Sequence, residues 1–168
     1  MKTLNRIYYF AYGSNLSISQ MKRRCPQSKL VCKAVLKGYK LLFNKYSTSW
    51  NGSVADIMKS YYDDVWGLVY SVTFDDLKRL DKFEGYPRSY NRKLLTVFSA
   101  DNRVIDDVWV YYISYKYKDG VPTGEYLDII KDAAYSFNFP RYYKKMLNGI
   151  KINRVEVLED DDLWIENE

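Results

Sequence analysis

The sequence predicts an α+β fold, a small and mostly antiparallel β-barrel with peripheral helices. Most apolar segments are short and rich in β-branched and aromatic residues, as is typical of strands, and helical patterns interrupt them. No linker rich in Pro, Gly or Ser and no internal repeat divides the 168 residues. A chain of this length is typical of a single domain, which we expect over 1–154, followed by an acidic tail over 155–168.

The first half of the chain alternates predicted strands and helices. A short helix over 17–24 begins at a capping serine, and Pro26 ends it. A second helix over 73–83 begins with a capping-box pattern that includes Asp76, and Gly85 is its stop signal. The predicted strands of this half are 7–10, 31–43, 54–58 and 65–72.

The second half combines a predicted hairpin with a helical region. Strand-like segments over 94–98 and 104–117 flank a turn at Asp101-Asn102. Thr123 caps a helix in which apolar residues recur at helical spacing. Pro140 begins a second helical piece over 140–147, which Gly149 ends. We expect the acidic tail that follows 152–157 to be either a frayed segment or a surface arm.

The chain contains no histidine and only two cysteines, Cys25 and Cys32. The absence of histidine excludes Ser-His-Asp and Cys-His catalysis within the chain, together with histidine-ligated metal sites. Two cysteines are too few for a disulfide framework or a cysteine zinc site. Acid–base chemistry near neutral pH must therefore use a carboxylate, a lysine, a tyrosine or a cysteine of shifted pKa.

The net charge of +5 is unevenly distributed along the chain, since no basic residue lies after Arg154. We interpret the basic body as a solvated surface balanced by the acidic tail, and the short cluster Lys22-Arg23-Arg24 is weak evidence for nucleic-acid binding. No apolar run approaches the roughly 20 residues of a membrane helix. Residues 1–7 lack the apolar core of a signal peptide, so we expect a cytoplasmic protein. From the charge distribution and the short apolar runs, we expect neither nucleic-acid nor membrane partners.

One segment with the character of a binding loop lies after the first strand. Within it, Gly13 allows the backbone to approach a ligand closely, and successive N–H groups in such a turn can form a cradle for an oxyanion. The segment lacks the Gly-Lys-Ser/Thr end of a P-loop. The alternative is an ordinary strand-to-helix turn in which Asn15 or Ser17 caps the helix.

Two further side chains are candidates for a functional site. Glu84 falls at a predicted helix C-terminus, where the helix dipole disfavours a carboxylate, so a raised pKa would suit a general acid or base. The alternative is a surface glutamate paired with Lys82 or Arg88. Tyr126 lies in the first turn of its helix, and its hydroxyl could enter a cleft. Core packing of an amphipathic helix is the alternative for that segment.

In their order along nearly the whole chain, these segments resemble the γ-glutamylcyclotransferase family. Each motif is weak alone, whereas the ordered set is specific. The resemblance is carried by Tyr9-Phe10-Ala11-Tyr12-Gly13-Ser14-Asn15-Leu16, by Ser49-Trp50-Asn51-Gly52, by Val65-Trp66-Gly67-Leu68-Val69-Tyr70, by Leu80-Asp81 with Glu84-Gly85 and Tyr90, and by Tyr126-Leu127 through Pro140 and Tyr143 to Leu147.

The resemblance implies a reaction in which the α-amine of a γ-glutamyl amino acid attacks its own γ-carbonyl. The products would be 5-oxoproline and a free amino acid, and no metal or cofactor would be needed. Glu84 would be the catalytic acid/base, and the resemblance makes a homodimer possible. The implied substrate-binding residues are Tyr9, Phe10, Ala11, Tyr12, Gly13, Ser14, Asn15, Tyr90 and Tyr126.

Alternative functions share this fold and these residues. A γ-glutamylamine cyclotransferase, or an enzyme that removes a γ-glutamyl protecting group in biosynthesis, would use the same chemistry with a different leaving amine. A non-catalytic protein that binds a small ligand could also use this fold, because fold alone does not determine function. The presence of Glu84 argues against the non-catalytic alternative.

Overall fold

A computed structural model describes residues 6–153, in which five strands form a closed barrel. Neighbouring strands pair antiparallel, except that the first and the last strand of the chain close the barrel in parallel. The predicted architecture is therefore confirmed. In the barrel order β1-β3-β2-β4-β5, the strands are β1 (Arg6–Ala11), β3 (Gly52–Thr73), β2 (Lys29–Ser47), β4 (Asn91–Ser99) and β5 (Val104–Tyr112).

Four helices within residues 6–153 lie outside the barrel, and side-chain caps begin three of them. The hydroxyl of Ser17 accepts a hydrogen bond from the Gln20 N–H, and Thr73 forms a reciprocal capping box with Asp76. The Thr123 hydroxyl caps the third helix. No helix of the described range is long and apolar enough to cross a membrane. The helices are α1 (Ile18–Arg24), α2 (Phe74–Glu84), α3 (Gly124–Ser136) and α4 (Arg141–Asn148), and a 3₁₀ turn (Ser14–Leu16) precedes α1.

The prediction of separate strands over 54–58 and 65–72 was wrong, because both belong to the 22-residue strand β3. Pairing with β2 continues on both sides of a bulge, in which residues 60–63 lie opposite Gly38 alone. Tyr61 and Tyr62 in this bulge are 99% and 98% exposed. The side chains of the bulge lie outside the core, so they interrupt the apolar pattern even though the backbone pairing resumes beyond it. The sequence pattern alone therefore resembles two strands.

The predicted strand over 104–117 is also shorter in the structure, where β5 ends at Tyr112. The next backbone N–H, that of Ile113, donates to the buried Asp56 carboxylate instead of to a neighbouring strand. Side-chain capture of this donor coincides with the end of the ladder. At the end of the described range, Asn153 forms a parallel bridge with Thr123, and most of the segment 152–157 lies outside that range.

The core fills the barrel interior and extends under the helices. Phe10, Leu68 and Val108 are fully buried there, and tyrosines occupy the barrel end beyond Ala11. The loop after β1 crosses that end, where the C-terminus of α2 and the N-terminus of α3 also meet. The fold thus brings together segments that lie more than 100 residues apart in the sequence.

Candidate active site

Two cavities share one wall at this end of the barrel. The outer cleft has a volume of about 310 Å³, and the inner recess has a volume of about 30 Å³. Both are lined by Ser14, Glu84, Tyr90 and Tyr126, so one carboxylate and three hydroxyl groups lie where the two spaces meet. The remaining walls of the inner recess are Tyr9, Tyr12, Gly13, Asn15, Ala55 and Tyr111.

Glu84 is the last residue of α2, and its side chain is 16% exposed. Gly85 ends the helix in the left-handed conformation at φ 64°, which turns the chain away after the carboxylate. Glu84 Oε1 accepts a hydrogen bond from Asn15 Nδ2 at 3.0 Å and lies 3.7 Å from Arg24 Nη1. Its ionic partner is therefore Arg24, and not the nearby Lys82 or Arg88 that the sequence suggested.

Opposing effects act on the Glu84 carboxyl. Burial, the largest effect, raises its pKa above the usual 4.5, whereas Arg24, the Asn15 amide and Lys45 act in the lowering direction. The position at the negative end of α2 also disfavours the ionised form. The result is a carboxylate that accepts a proton more readily than an exposed glutamate does, at a point where a ligand can reach it.

Asn15 fixes the orientation of this carboxylate. Its amide nitrogen donates to Glu84 and, at 2.8 Å, to the Tyr9 hydroxyl. Its amide oxygen accepts from Gln20 Nε2 at 3.1 Å and from Arg24 Nη1 at 2.8 Å. Because both ends of the buried amide are engaged, its orientation is determined by the network. Asn15 therefore faces Glu84, and Ser17 caps α1.

Gly13 allows the loop to pack against α3. A Cβ atom at position 13 would lie 2.9 Å from the Tyr126 hydroxyl and 3.3 Å from the Ala55 Cβ atom. Any other residue at this position would displace the hydroxyl or the loop. The glycine thus allows a close backbone approach to a tyrosine of the cavity wall, and the predicted approach to a ligand stays a prediction.

The main chain of Ala55 holds two of the tyrosine hydroxyls. The Ala55 N–H donates to the Tyr126 hydroxyl at 3.1 Å, and the Ala55 carbonyl accepts from the Tyr90 hydroxyl at 2.6 Å. Within residues 6–153, the proton of Tyr126 has no acceptor, so it remains available to a ligand. Burial raises the pKa of both tyrosines above the usual 10, which keeps their hydroxyls neutral.

An ion pair between a buried carboxylate and a partly exposed lysine lies next to Ala55 along β3. The fully buried carboxylate of Asp56 accepts from Asn44 Nδ2 at 3.1 Å, from the Ile113 N–H at 2.8 Å and from Lys116 Nζ at 2.5 Å. These contacts join β3 to β2 and to the segment after β5. Asp56 therefore stabilises the stretch of β3 that holds the two hydroxyls.

The structure brings together eight of the ten residues predicted for the site. Glu84 and seven of the nine predicted substrate-binding residues line one or both cavities. Phe10 and Ala11 have no exposed surface and pack in the core, away from both cavities. Sequence reasoning missed Lys45 and Tyr111, and it treated Arg24 only as part of a basic cluster. Their proximity depends on strand pairing and loop packing, for which the sequence carries no local signal.

No three acidic or cysteine side chains converge as a possible metal site among the residues that the structure describes. A recess lined by neutral tyrosine hydroxyls, backbone groups and one raised-pKa carboxylate is instead typical of an enzyme site for a small polar substrate. The fold and the site are therefore those of a β-barrel enzyme whose cavity wall contains one carboxylate, that of Glu84.

Comparisons with known proteins identify the family. The family model described as gamma-glutamyl cyclotransferase, AIG2-like, matches residues 9–128. The chain is 32% identical to the gamma-glutamylcyclotransferase of Homo sapiens over 149 residues, covering 86% of this chain and 79% of the relative. The Bos taurus protein of the same name is 33% identical over 150 residues, with the same coverage. A solved structure titled gamma-glutamyl cyclotransferase superposes with a TM-score of 0.84 at 30% identity, covering 90% of this chain and 92% of that chain.

The chain belongs to the gamma-glutamyl cyclotransferase family. It is an enzyme of the cyclotransferase type, which confirms the class that the resemblance implied.

Proposed function

We propose that the protein converts a γ-glutamyl amino acid into 5-oxoproline and a free amino acid, with Glu84 as the general acid/base. The observation that carries this proposal is the Glu84 carboxylate, which has a raised pKa and lies at the junction of the two cavities. Family membership supports the γ-glutamyl part of the substrate. A nucleophile supplied by the substrate is compatible with a chain that contains no histidine.

The reaction begins with proton transfer from the substrate α-ammonium to Glu84. The free amine forms a bond to the γ-carbonyl carbon, and the resulting tetrahedral intermediate loses the bond to the leaving nitrogen. As the carbonyl re-forms, Glu84 returns its proton to that leaving nitrogen. The attacking nitrogen, which still carries one proton more than the lactam does, releases it to the departing amine or to water, so the enzyme ends as it began. A carboxylate of raised pKa accepts the first proton more readily, and such acid–base assistance is typically worth about 10²–10⁴-fold in rate.

The remaining requirements are position and charge stabilisation. Holding the glutamyl chain in a ring-closing shape brings the amine into line with the γ-carbonyl carbon, and it removes the entropy cost of fixing the chain torsions from the barrier. The Tyr126 hydroxyl has a proton available for an anionic oxygen of the substrate, and the backbone N–H groups of the 13–15 loop are further candidates. This chemistry requires no metal or organic cofactor.

The direct test is to incubate the purified protein with γ-glutamyl-alanine and to measure 5-oxoproline and alanine by mass spectrometry. We expect both products in equal amounts. A reaction without protein, and one with heat-denatured protein, provide the background. Release of 5-oxoproline from γ-glutamyl amines but not from γ-glutamyl-alanine would show that the leaving group is an amine and not an amino acid. Tight ligand binding without either product would contradict the proposal.

We predict that Tyr126→Phe lowers kcat/KM about threefold to tenfold, because one hydroxyl hydrogen bond is worth roughly 0.5–1.5 kcal/mol. The substitution also removes the acceptor of the buried Ala55 N–H, so a small decrease in melting temperature should accompany the loss. Steady-state kinetics and thermal unfolding measure the two effects. Tyr8→Phe is the matched control because Tyr8 is 41% exposed on the same barrel. Unchanged kinetics for Tyr126→Phe would assign this tyrosine to packing alone.

We predict that Arg24→Gln moves the acidic limb of the pH–rate profile to higher pH. Arg24 lowers the pKa of Glu84, so its removal should raise that pKa further and require a higher pH to form the carboxylate. The profile of kcat/KM against pH measures the shift, because it reports groups of the free enzyme. Arg23→Gln, at an exposed position of the same helix, should leave the limb in place. An unmoved or lowered limb in Arg24→Gln would separate this limb from Glu84.

A further inference from the structure

Lys45 presents its ammonium group to the outer cleft from the end of β2. Its Nζ atom donates to Ser89 Oγ and lies 5.5 Å from the centre of the Tyr90 ring. The five ion pairs of the described residues all use other cations, so no described carboxylate lies within 4 Å of this ammonium. Burial lowers the pKa of Lys45, as expected for a positive charge that is partly removed from water.

The other cation of the cleft, Arg24, is already engaged. Its Nη1 atom lies 3.7 Å from Glu84 Oε1 and 2.8 Å from Asn15 Oδ1, and its guanidinium lies over the Phe83 ring. Among the described residues that line the outer cleft, Lys45 is therefore the cation with no carboxylate within 4 Å. A cleft with such a group favours an anionic ligand.

The arrangement of the two cavities indicates which part of a substrate would meet Lys45. Glu84 and Tyr126 line both spaces, so a reacting carbonyl next to them has the glutamyl part on one side and the leaving group on the other. The outer cleft is the larger space, and it can accept leaving groups that differ in size. Lys45 lines the outer cleft and does not line the inner recess.

The outer wall is also suited to a polar leaving group. The end of β2 and the turn that follows it contribute the hydroxyl-bearing residues Ser47, Thr48 and Ser49, and then Trp50. An amino acid leaving group carries a carboxylate next to its α-carbon, whereas a simple amine has no anionic group. Hydroxyl groups and an ammonium together match a carboxylate better than they match an alkyl chain.

We infer that Lys45 binds the α-carboxylate of the leaving amino acid and thereby selects γ-glutamyl amino acids over γ-glutamyl amines. The inference rests on the proposed function and adds a specificity-determining residue to it. A hydrogen bond to a charged group of this kind should contribute roughly tenfold to a hundredfold in kcat/KM.

The test compares γ-glutamyl-alanine with γ-glutamyl-alaninamide, which has nearly the same shape but no carboxylate. Wild-type protein should favour the acid over the amide by about tenfold or more in kcat/KM. Lys45→Met should reduce this ratio to near one, because the substitution should lower kcat/KM for the acid more than it lowers kcat/KM for the amide. Lys37→Met, at an exposed position of the same strand, should retain the wild-type preference.

The outcomes separate the inference from the proposed function. Release of 5-oxoproline from neither substrate by wild-type protein would overturn the proposed function and the inference with it. Equal wild-type activity on both substrates would overturn the inference alone, without the need for any folded variant. Equal losses on both substrates in Lys45→Met would also overturn it, since Lys45 would then act on the glutamyl part or on folding. Lys45→Gln provides a second variant for the same ratio.

Discussion

Glu84→Gln should lower the rate of 5-oxoproline release by about 10²-fold or more, while binding of a γ-glutamyl ligand persists. Glutamine has nearly the same shape and can still accept the hydrogen bond from Asn15 Nδ2. It cannot take the proton from the α-ammonium, which is not a nucleophile until it loses that proton. Single-turnover or steady-state assays of product, together with calorimetric titration of a γ-glutamyl ligand, measure the two properties separately.

A control and a stability measurement make this result interpretable. Glu125→Gln removes an exposed carboxylate from the first turn of α3 and should leave turnover unchanged. Because the pKa of Glu84 is raised in the folded protein, native Glu84 holds its proton to higher pH than unfolded Glu84 does. The wild type should therefore lose stability relative to Glu84→Gln as pH rises from the usual glutamate pKa of 4.5 through the raised pKa of native Glu84. Near-normal turnover in the folded variant would remove Glu84 from the mechanism.

Lys116→Met should reduce the free energy of unfolding by about 3 kcal/mol, because it leaves the buried Asp56 charge without its ionic partner. The lower end of the usual range applies, since the Lys116 side chain is 34% exposed and Asp56 keeps its hydrogen bonds from Asn44 and Ile113. Urea unfolding curves measure the change. Activity should decrease as well, because Asp56 follows Ala55 in β3.

The same pair allows a double-variant comparison. Asp56→Asn combined with Lys116→Met removes both charges, and it should be more stable than Lys116→Met alone, since no unpaired buried charge remains. Lys118→Met, an exposed neighbour, is the control for loss of a lysine from this segment. A loss below about 1 kcal/mol in Lys116→Met would mean that the pair contributes no more than an exposed ion pair does.

The fold was predictable where local chemistry decides it. Caps at Ser17, Thr73 and Thr123 mark the helix starts because each side chain bonds a nearby N–H of its own helix. The continuity of β3 was not predictable, because a bulge interrupts the apolar pattern without ending the ladder. The end of β5 coincides with the hydrogen bond from the Ile113 N–H to Asp56, which lies 57 positions away from Ile113 in the sequence. Asp56 had no sequence signal beyond being an acidic residue in an apolar strand.

The candidate site shows the same division. Gly13, Glu84 and Tyr126 stand out because each departs from what packing or helix stability alone would favour, or matches a family motif. Whether they act as proposed stays a prediction. Lys45 and Tyr111 could not be singled out, because nothing in their neighbouring residues distinguishes them from other lysines and tyrosines of strands. They are candidates for the site only because they line the cavities, and these cavities form only when the barrel closes.

The two hydroxyl groups of Tyr90 and Tyr126 are held by peptide groups of Ala55, and this affects how the site can change during evolution. A mutation alters a side chain, but the N–H and C=O of position 55 are present in every residue except proline, which lacks the N–H. A substitution at position 55 to a residue other than proline can therefore bring a larger side chain into the site, but it removes neither main-chain hydrogen bond. Both hydrogen bonds depend on the position of the β3 backbone in the barrel. They can therefore persist in related proteins whose surface residues differ.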